Sequence, residues 1–211
     1  MTRTAGRAPL RDVRRATLAS VSIASPSRSH HRYSYEEYLA YERDSGLKHE
    51  YEDGEILAMA GGSRRHNALA SRISAALELG RRSGCVAFQS DQKVRVLATG
   101  KATYPDATVV CGPIEGDPAD PGGPTITNPS LVVEVLSPST EEDDRGNKWQ
   151  HYQLIPSLQE YVLVSQSHAR VEHYRRLSSG AWEYRDVVAG SVQLATGATI
   201  DLASLYADLP A

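Results

Sequence analysis

Residues 131–140 read LVVEVLSPST, and this stretch decides the fold. A short run rich in Val and Leu that ends at turn residues is typical of a β-strand covered on both faces. Ser137, Pro138 and Ser139 supply the end of the strand. Glu134 lies in the middle of the apolar run, where an ionised carboxylate is costly unless a cation, a metal or hydrogen-bond donors replace its water. We therefore expect a positive group beside Glu134.

The size and composition of the chain indicate one domain. The 211 residues, 40% of them hydrophobic, can form one sizeable core, whereas two domains would be cramped. No stretch approaches the roughly 18 to 20 apolar residues of a membrane helix, and the N-terminus lacks the apolar segment of a secretory signal. Cys85 and Cys111 show no metal or redox spacing, and two cysteines cannot make the disulfide framework of a small secreted fold. A cytoplasmic protein without a membrane segment is expected.

Charge divides the chain into a basic leader and an acidic body. Residues 1–32 contain seven Arg and one Asp, so the remainder carries 16 basic and 25 acidic residues. We interpret residues 1–32 as a disordered arm or an upstream-start artefact, with a nucleic-acid-binding tail and an organelle transit peptide as alternatives. Residues 33–211 then form the folded domain. Its acidic balance counts against sequence-blind attraction to nucleic acid, although a local cleft can still be positive.

The order of predicted elements indicates an α/β domain with a mixed central sheet flanked by helices. Ser34 and Glu37 form a capping box, Asp53-Gly54 marks a hairpin, and Ser63 can cap an amphipathic helix. Strands are expected at 85–90, 92–98, 107–111 and 131–136, with a helix over roughly 145–155 capped by Asp143 or Asp144. The C-terminal third reads as a β-meander. The Pro/Gly/Asp-rich residues 112–130 are too long for a routine connection, which suggests a lip near a site.

Three charged residues indicate where chemistry takes place. Asp106 follows Pro105 at the start of one strand, Glu134 lies within the next, and Lys148 is in the helix after it. Consecutive strands are often neighbours, so the two carboxylates can hold one divalent cation together. Carboxylate oxygens and a hard ion such as Mg²⁺ suit phosphodiester chemistry, with an ammonium stabilising the developing negative charge. Lys148 shares a helical face with Tyr152 and Ile155, which points it toward the core.

The PD, EVLSPST, DRGNKWQHY and PSLQEYVLV segments, with the KHEYEDGEI hairpin, resemble the Uma-two family of restriction-endonuclease-like proteins, a branch of the PD-(D/E)xK nuclease superfamily. The resemblance covers about residues 33–209. It implies that Asp106 and Glu134 are metal ligands, joined by the backbone carbonyl of Val135. The superfamily lysine falls on Leu136, and the resemblance implies that Lys148 replaces it.

By the same resemblance, Glu50 completes the metal shell or orients the attacking water. The implied activity is hydrolysis of DNA by a Mg²⁺-dependent endonuclease, with Mn²⁺ as a substitute, acting as a homodimer. Two alternatives stay open: a catalytically inactive binding or regulatory module, and an RNA substrate.

Each of these residues also has a structural interpretation. Asp106 can be an ordinary strand-entry residue, Glu134 and Lys148 a plain ion pair, and Glu50 an exposed hairpin residue. His66, early in its helix, could contact the site or simply lie at the surface, so it is not counted as a site residue. Lys93 and Arg95 could touch a nucleic-acid backbone, or they could serve only to keep an edge strand soluble.

Overall fold

A computed structural model describes residues 31–59 and 61–210 of the chain. Except for its last two residues, the predicted basic leader lies outside these ranges, so its disorder stays a prediction. Within the described ranges, no helix has the length and apolar character needed to cross a membrane.

The described chain contains runs of strands separated by helical segments. The helical segments are α1 (Tyr35–Ser45), α2 (Arg64–Gly80), α3 (Glu141–Asp143), a π-helix (Asp144–Lys148), α4 (Trp149–Tyr152) and α5 (Leu202–Tyr206). The strands are β1 (His49–Glu52), β2 (Glu55–Ala58), β3 (Cys85–Gln89), β4 (Val94–Arg95), β5 (Ala102–Thr103), β6 (Ala107–Cys111), β7 (Leu131–Leu136), β8 (Glu160–Ser165), β9 (Val171–Arg176), β10 (Trp182–Val187), β11 (Ser191–Gln193) and β12 (Thr199–Asp201).

The central sheet has six strands in the order β10-β9-β8-β7-β6-β3. Strands β7 and β8 are parallel, and the other neighbours are antiparallel, so the sheet is mixed as predicted. The predicted C-terminal meander is present, and β9 and β10 extend the central sheet rather than forming a separate layer. The helical residues 141–152 lie in the crossover that a parallel β7–β8 pair requires.

A smaller sheet, in the order β2-β1-β5-β4, carries the predicted hairpin. Asp53 and Gly54 both have positive φ, 47° and 83°, which is the conformation that a tight two-residue turn needs. The predicted capping box at Ser34 and Glu37 and the predicted Ser63 cap are both formed.

Strand β7 is buried on both faces, as its sequence predicts. Leu131, Val133 and Val135 pack into one apolar cluster with α2, which contributes Leu69 and Ile73. Val132 and Leu136 point to the opposite face and pack with Tyr152, Ile155 and Tyr161. Because side chains alternate along a strand, Glu134 shares this second face, which the helical residues 141–152 cover.

Two predicted elements have different bounds in the structure. The strand expected at 92–98 ends at Arg95, and the chain turns at Gly100, whose φ is 82°, into β5, which was not predicted. The helix expected from about 145 already begins at Glu141, so Asp143 and Asp144 lie inside it and cap nothing.

The prediction of a lip near the site at 112–130 is wrong. Asp117, from this segment, lies 2.8 Å from Arg95 and accepts a hydrogen bond of 2.7 Å from the Tyr35 hydroxyl. The segment therefore packs against β4 and α1, and no described residue of it lines the cavity that holds the predicted site residues.

Lys93 and Arg95, for which contact with a nucleic-acid backbone was one of two interpretations, both form ion pairs within the protein. Arg95 pairs with Asp117, and the ammonium of Lys93 is buried 2.9 Å from Glu42. Both cations therefore hold the small sheet to its surroundings. In the sequence, the two alternating cations look like those of an exposed edge strand. Their acidic partners are distant in the chain, so the local pattern does not reveal them.

Cys85 and Cys111 are joined by a disulfide bond. They face each other in the β3–β6 register, so the bond ties an edge strand to its neighbour. The spacing of the two cysteines shows no redox pattern and did not predict this bond, because only strand pairing brings the two residues together.

Gly80 ends α2 where the helix meets the β11–β12 connection. A Cβ atom at this position would lie 2.7 Å from the Cα of Ala198, a backbone atom that cannot move alone. We expect Gly80→Ala to lower the free energy of unfolding by about 1 to 3 kcal/mol, measured by urea denaturation. Gly116→Ala is the control, because its Cβ would come no closer than 3.9 Å to a neighbour. Equal stability of the two variants would contradict the close packing described for Gly80.

Candidate active site

Strand register brings Asp106 and Glu134 together. Ala107 lies opposite Val133 in the antiparallel β6–β7 pair, so Asp106 lies opposite Glu134. Each carboxylate meets the backbone of the other strand: Val135 N–H donates to Asp106 Oδ2 at 2.7 Å, and Asp106 N–H donates to Glu134 Oε2 at 3.4 Å. The convergence predicted for these two acids is therefore present.

The positive group expected beside Glu134 is the ammonium of Lys148. It lies 3.4 Å from Glu134, 3.4 Å from Glu50 and 2.9 Å from Asp144. Glu134 and Lys148 are only 3% and 5% exposed, so this cluster is inside the protein. Leu136, at the superfamily's lysine position, is in the apolar core instead.

Asp144 lies in the same cluster but was not among the site residues predicted from the sequence. It begins the π-helix, a wider helical turn that is frequent at functional sites, and it is buried like Lys148 at the other end of that turn. Its spacing of four residues before Lys148 was the available signal. That signal was overlooked because Asp144 was interpreted as a helix cap.

Glu50 reaches the cluster from the small sheet. Thr103, on the neighbouring strand β5, donates a hydrogen bond to its carboxylate. Two residues later in β1, Glu52 accepts hydrogen bonds from Lys101 at 2.7 Å and from Asn147 in the π-helix at 2.8 Å. These contacts fix the position of β1 relative to the helix that carries Lys148, so Glu50 lies in the cluster with Lys148 and is not an exposed hairpin residue.

The four predicted site residues line one cavity of about 320 Å³. Its described lining includes five carboxylates but only one lysine and one histidine, and the carboxylates belong to Glu50, Asp106, Glu134, Asp143 and Asp144. Negative charge is therefore in excess, and a cation entering this cavity would be attracted to it.

Burial and neighbouring charges together raise the pKa values of Glu134, Asp144 and Lys148. Burial raises the pKa of the Glu134 carboxyl well above its usual range: Lys148 opposes the rise, but the charges of Asp144, Asp106 and Glu50 add to it. Burial likewise raises the pKa of Asp144. Although burial alone would lower the pKa of Lys148, the surrounding carboxylates raise it well above the usual range. One ammonium thus remains charged among more carboxylates than it can neutralise.

His66, from the first turn of α2, also lines the cavity. Its Nε2 lies 3.2 Å from Asp106 Oδ2. Hydrogen bonding to Asp106 raises the pKa of the imidazole despite its partial burial, and the backbone of Val135 contributes to the rise. The sequence placed His66 in the right helix, but nothing in its local pattern indicated that the helix begins beside Asp106.

The donor set fits a hard divalent cation, although no finished cage is present. In residues 31–59 and 61–210, no group of three or more His, Cys, Asp or Glu side chains is arranged to hold a metal ion. Lys148 already pairs with Glu50 and Asp144 on one side of the cluster. Asp106 and Glu134 nevertheless offer carboxylate oxygens to a cavity with excess negative charge, which is the chemistry that Mg²⁺ and Mn²⁺ prefer.

Comparison with known proteins identifies the family of this chain. The sequence model of the Uma2 family, described as "Putative restriction endonuclease", matches residues 35–206. This chain belongs to the Uma2 family. The resemblance found in the sequence is thereby confirmed.

Two uncharacterised proteins of Synechocystis sp. (strain ATCC 27184 / PCC 6803 / Kazusa) are similar to this Uma2 chain. One is 42% identical over 159 residues, covering 75% of this chain and 82% of its own length. The other is 35% identical over 160 residues, covering 75% of this chain and 89% of its own length.

A crystal structure of a "putative nuclease belonging to DUF820" from Anabaena variabilis ATCC 29413 has the same fold. Its TM-score is 0.65 at 18% identity, and the match covers 82% of this chain and 96% of that one. The restriction-endonuclease-like architecture is therefore confirmed. The roles of Glu50, Asp106, Glu134 and Lys148 stay predictions.

The raised pKa of Glu134 makes stability depend on pH. A carboxyl with a higher pKa in the folded than in the unfolded protein, where it is about 4.3, makes the free energy of unfolding fall as pH rises above that value. We expect E134Q to remove this decline and to be more stable than wild type at pH 8, by on the order of 1 kcal/mol. Urea denaturation between pH 5 and 9 in metal-free buffer measures the difference.

E160Q is the matched control for this experiment. Glu160 is also buried, and burial alone would raise its pKa, but hydrogen bonds from His173, Arg175 and the Ala195 backbone together lower it. E160Q should therefore destabilise the protein at pH 8. A loss of stability in E134Q as well would show that the charge of Glu134 is well compensated, contrary to the arrangement described above.

Proposed function

We propose that this protein is a Mg²⁺-dependent endonuclease that hydrolyses phosphodiester bonds of DNA. The observation that carries the proposal is the pair Asp106 and Glu134, opposite each other on neighbouring strands, with the buried ammonium of Lys148 beside Glu134. Membership of the Uma2 family and the shared fold support a nuclease.

Asp106 and Glu134 would hold the cation, with the carbonyl of Val135 as a further oxygen ligand. When bound, Mg²⁺ polarises the phosphoryl group and lowers the pKa of a coordinated water, and Mn²⁺ can replace it. The excess of carboxylates supports this requirement, because an anionic phosphodiester would be repelled from the cavity without a cation.

Lys148 would stabilise the negative charge that develops on the phosphate. Its pKa is raised by its carboxylate partners, so the ammonium keeps its protons at neutral pH and does not act as a general base. Glu50, 3.4 Å from Lys148, would orient the attacking water or complete the metal shell.

Removing either strand carboxylate should abolish cleavage. We expect Asp106→Ala and Glu134→Ala to lower the rate of plasmid cleavage in Mg²⁺ or Mn²⁺ by at least about 100-fold, since each loses a ligand of the cation. The control is Asp186→Asn. It changes an exposed carboxylate of β10 that is paired with Arg170, and this variant should cleave like wild type. Wild-type rates in both alanine variants would rule out the proposed site.

The same assay tests whether the substrate is DNA or RNA. Parallel reactions with DNA and RNA of equal length distinguish the substrates, because the chemistry of the phosphodiester is the same in both. Cleavage of RNA alone would contradict the DNA assignment while leaving the site intact.

A second candidate is a catalytically inactive module that keeps the scaffold for binding or regulation. The absence of a finished metal cage in the described residues favours it, as does the contact of Glu134 with Lys148, which supplies a cation without a metal. Calorimetric titration separates the two candidates. No binding of Mg²⁺ or Mn²⁺ at millimolar concentration would support the module and contradict the nuclease.

We propose that the active form is a homodimer, because a double-strand break requires two cuts. Analytical ultracentrifugation should then show a species of twice the chain mass, 23.0 kDa, at micromolar concentration. A monomer under cleavage conditions would contradict this.

A cytoplasmic location is part of the proposal, although the disulfide counts against it because such bonds are rare in reducing compartments. Alkylation of thiols before cell lysis tests it. Unlabelled Cys85 and Cys111 would contradict a reducing location.

A further inference from the structure

We propose that His66 is a positioning residue for Asp106: with the Val135 N–H it holds one carboxylate oxygen, so that the other is presented to the metal ion. This inference rests on the proposed function, because it assigns Asp106 to the metal. It adds to the four predicted site residues one whose contribution is to orient a metal ligand.

The geometry distinguishes the two oxygens of Asp106. Oδ2 accepts from Val135 N at 2.7 Å and lies 3.2 Å from His66 Nε2. An ionised carboxylate only accepts hydrogen bonds, so we assign the hydrogen to Nε2, the nitrogen that faces it. Within the described residues, no group donates to Oδ1. The oxygen with two neighbours is held by the protein, and Oδ1 is left for a ligand.

His66 is fixed in place from the opposite side by Gly62. The backbone N–H of His66 donates to the Ser63 side chain that caps α2, which sets the first turn of the helix. A Cβ atom on Gly62 would lie 2.5 Å from Nδ1 of the imidazole, so the ring occupies space that only glycine leaves open. The ring is therefore packed between Gly62 and Asp106.

The surroundings of the two ring nitrogens favour positioning over proton transfer. Nδ1 is buried away from solvent and has no hydrogen-bond partner among the described residues, and Nε2 is engaged with Asp106. Partners of this kind orient metal ligands, and their loss weakens metal binding by about 10- to 100-fold.

The test measures Mn²⁺ affinity by calorimetry in wild type, H66L and H66Q at one pH. H66L removes the N–H and should bind Mn²⁺ about 10- to 100-fold more weakly than wild type. H66Q keeps an N–H near the position of Nε2 and should recover most of the affinity. Thermal unfolding of each metal-free variant shows whether the fold is intact, a readout that is independent of the metal.

A glycine pair tests the same idea without changing the histidine. Gly62→Ala should displace the imidazole and weaken Mn²⁺ binding, whereas Gly61→Ala should leave it unchanged, because a Cβ there meets nothing within 4 Å. This pair decides the question if H66L fails to fold.

The outcomes separate the inference from the proposed function. Wild type that binds no Mn²⁺ at millimolar concentration would overturn both. Wild-type binding with equal or tighter affinity in H66L, or in Gly62→Ala, would overturn the role of His66 and leave the metal site standing. H66Q as weak as H66L would overturn the assignment of an N–H donor.

Discussion

The site and the packing around it depend on one buried ammonium shared by three carboxylates. Lys148 comes from the π-helix, and its partners Glu50 and Glu134 come from the small sheet and the central sheet. Removing Lys148 would leave its carboxylate partners uncompensated inside the protein, which is strongly destabilising. The ion pairs of Lys148 therefore join the small sheet, the central sheet and the π-helix, and they bring together the charged groups of the proposed active site.

Patterns within one element were sufficient for much of this arrangement. The apolar run at 131–136 predicted a strand buried on both faces, and the acid inside it predicted a cation nearby. Helical spacing predicted that Lys148 shares a buried face with Tyr152, and both are buried, whereas Ile155 is buried beyond the end of α4. These predictions succeeded because each follows from the period of a single helix or strand. The family resemblance added Glu50, whose local pattern is that of an exposed hairpin.

The features that were missed depend on contacts between distant residues. Lys93 and Arg95 alternate like the charges of a soluble edge strand, yet each finds an acid from another part of the chain. The disulfide exists only because β3 pairs with β6. The π-helix changes where a helix begins, which a search for helix caps does not detect. Tertiary contacts decided each of these cases, and a single sequence does not record them.

The pairing of β6 with β7 limits which changes in chain length the protein can accept. Side chains alternate between the two faces of a strand, so one residue inserted into either strand would turn Asp106 or Glu134 toward α2. Residues 112–130 connect the two strands without lining the cavity. Adding or removing residues there does not change which face of the sheet Asp106 and Glu134 occupy. Insertions and deletions among related proteins should therefore gather in that connection and avoid the two strands that flank it.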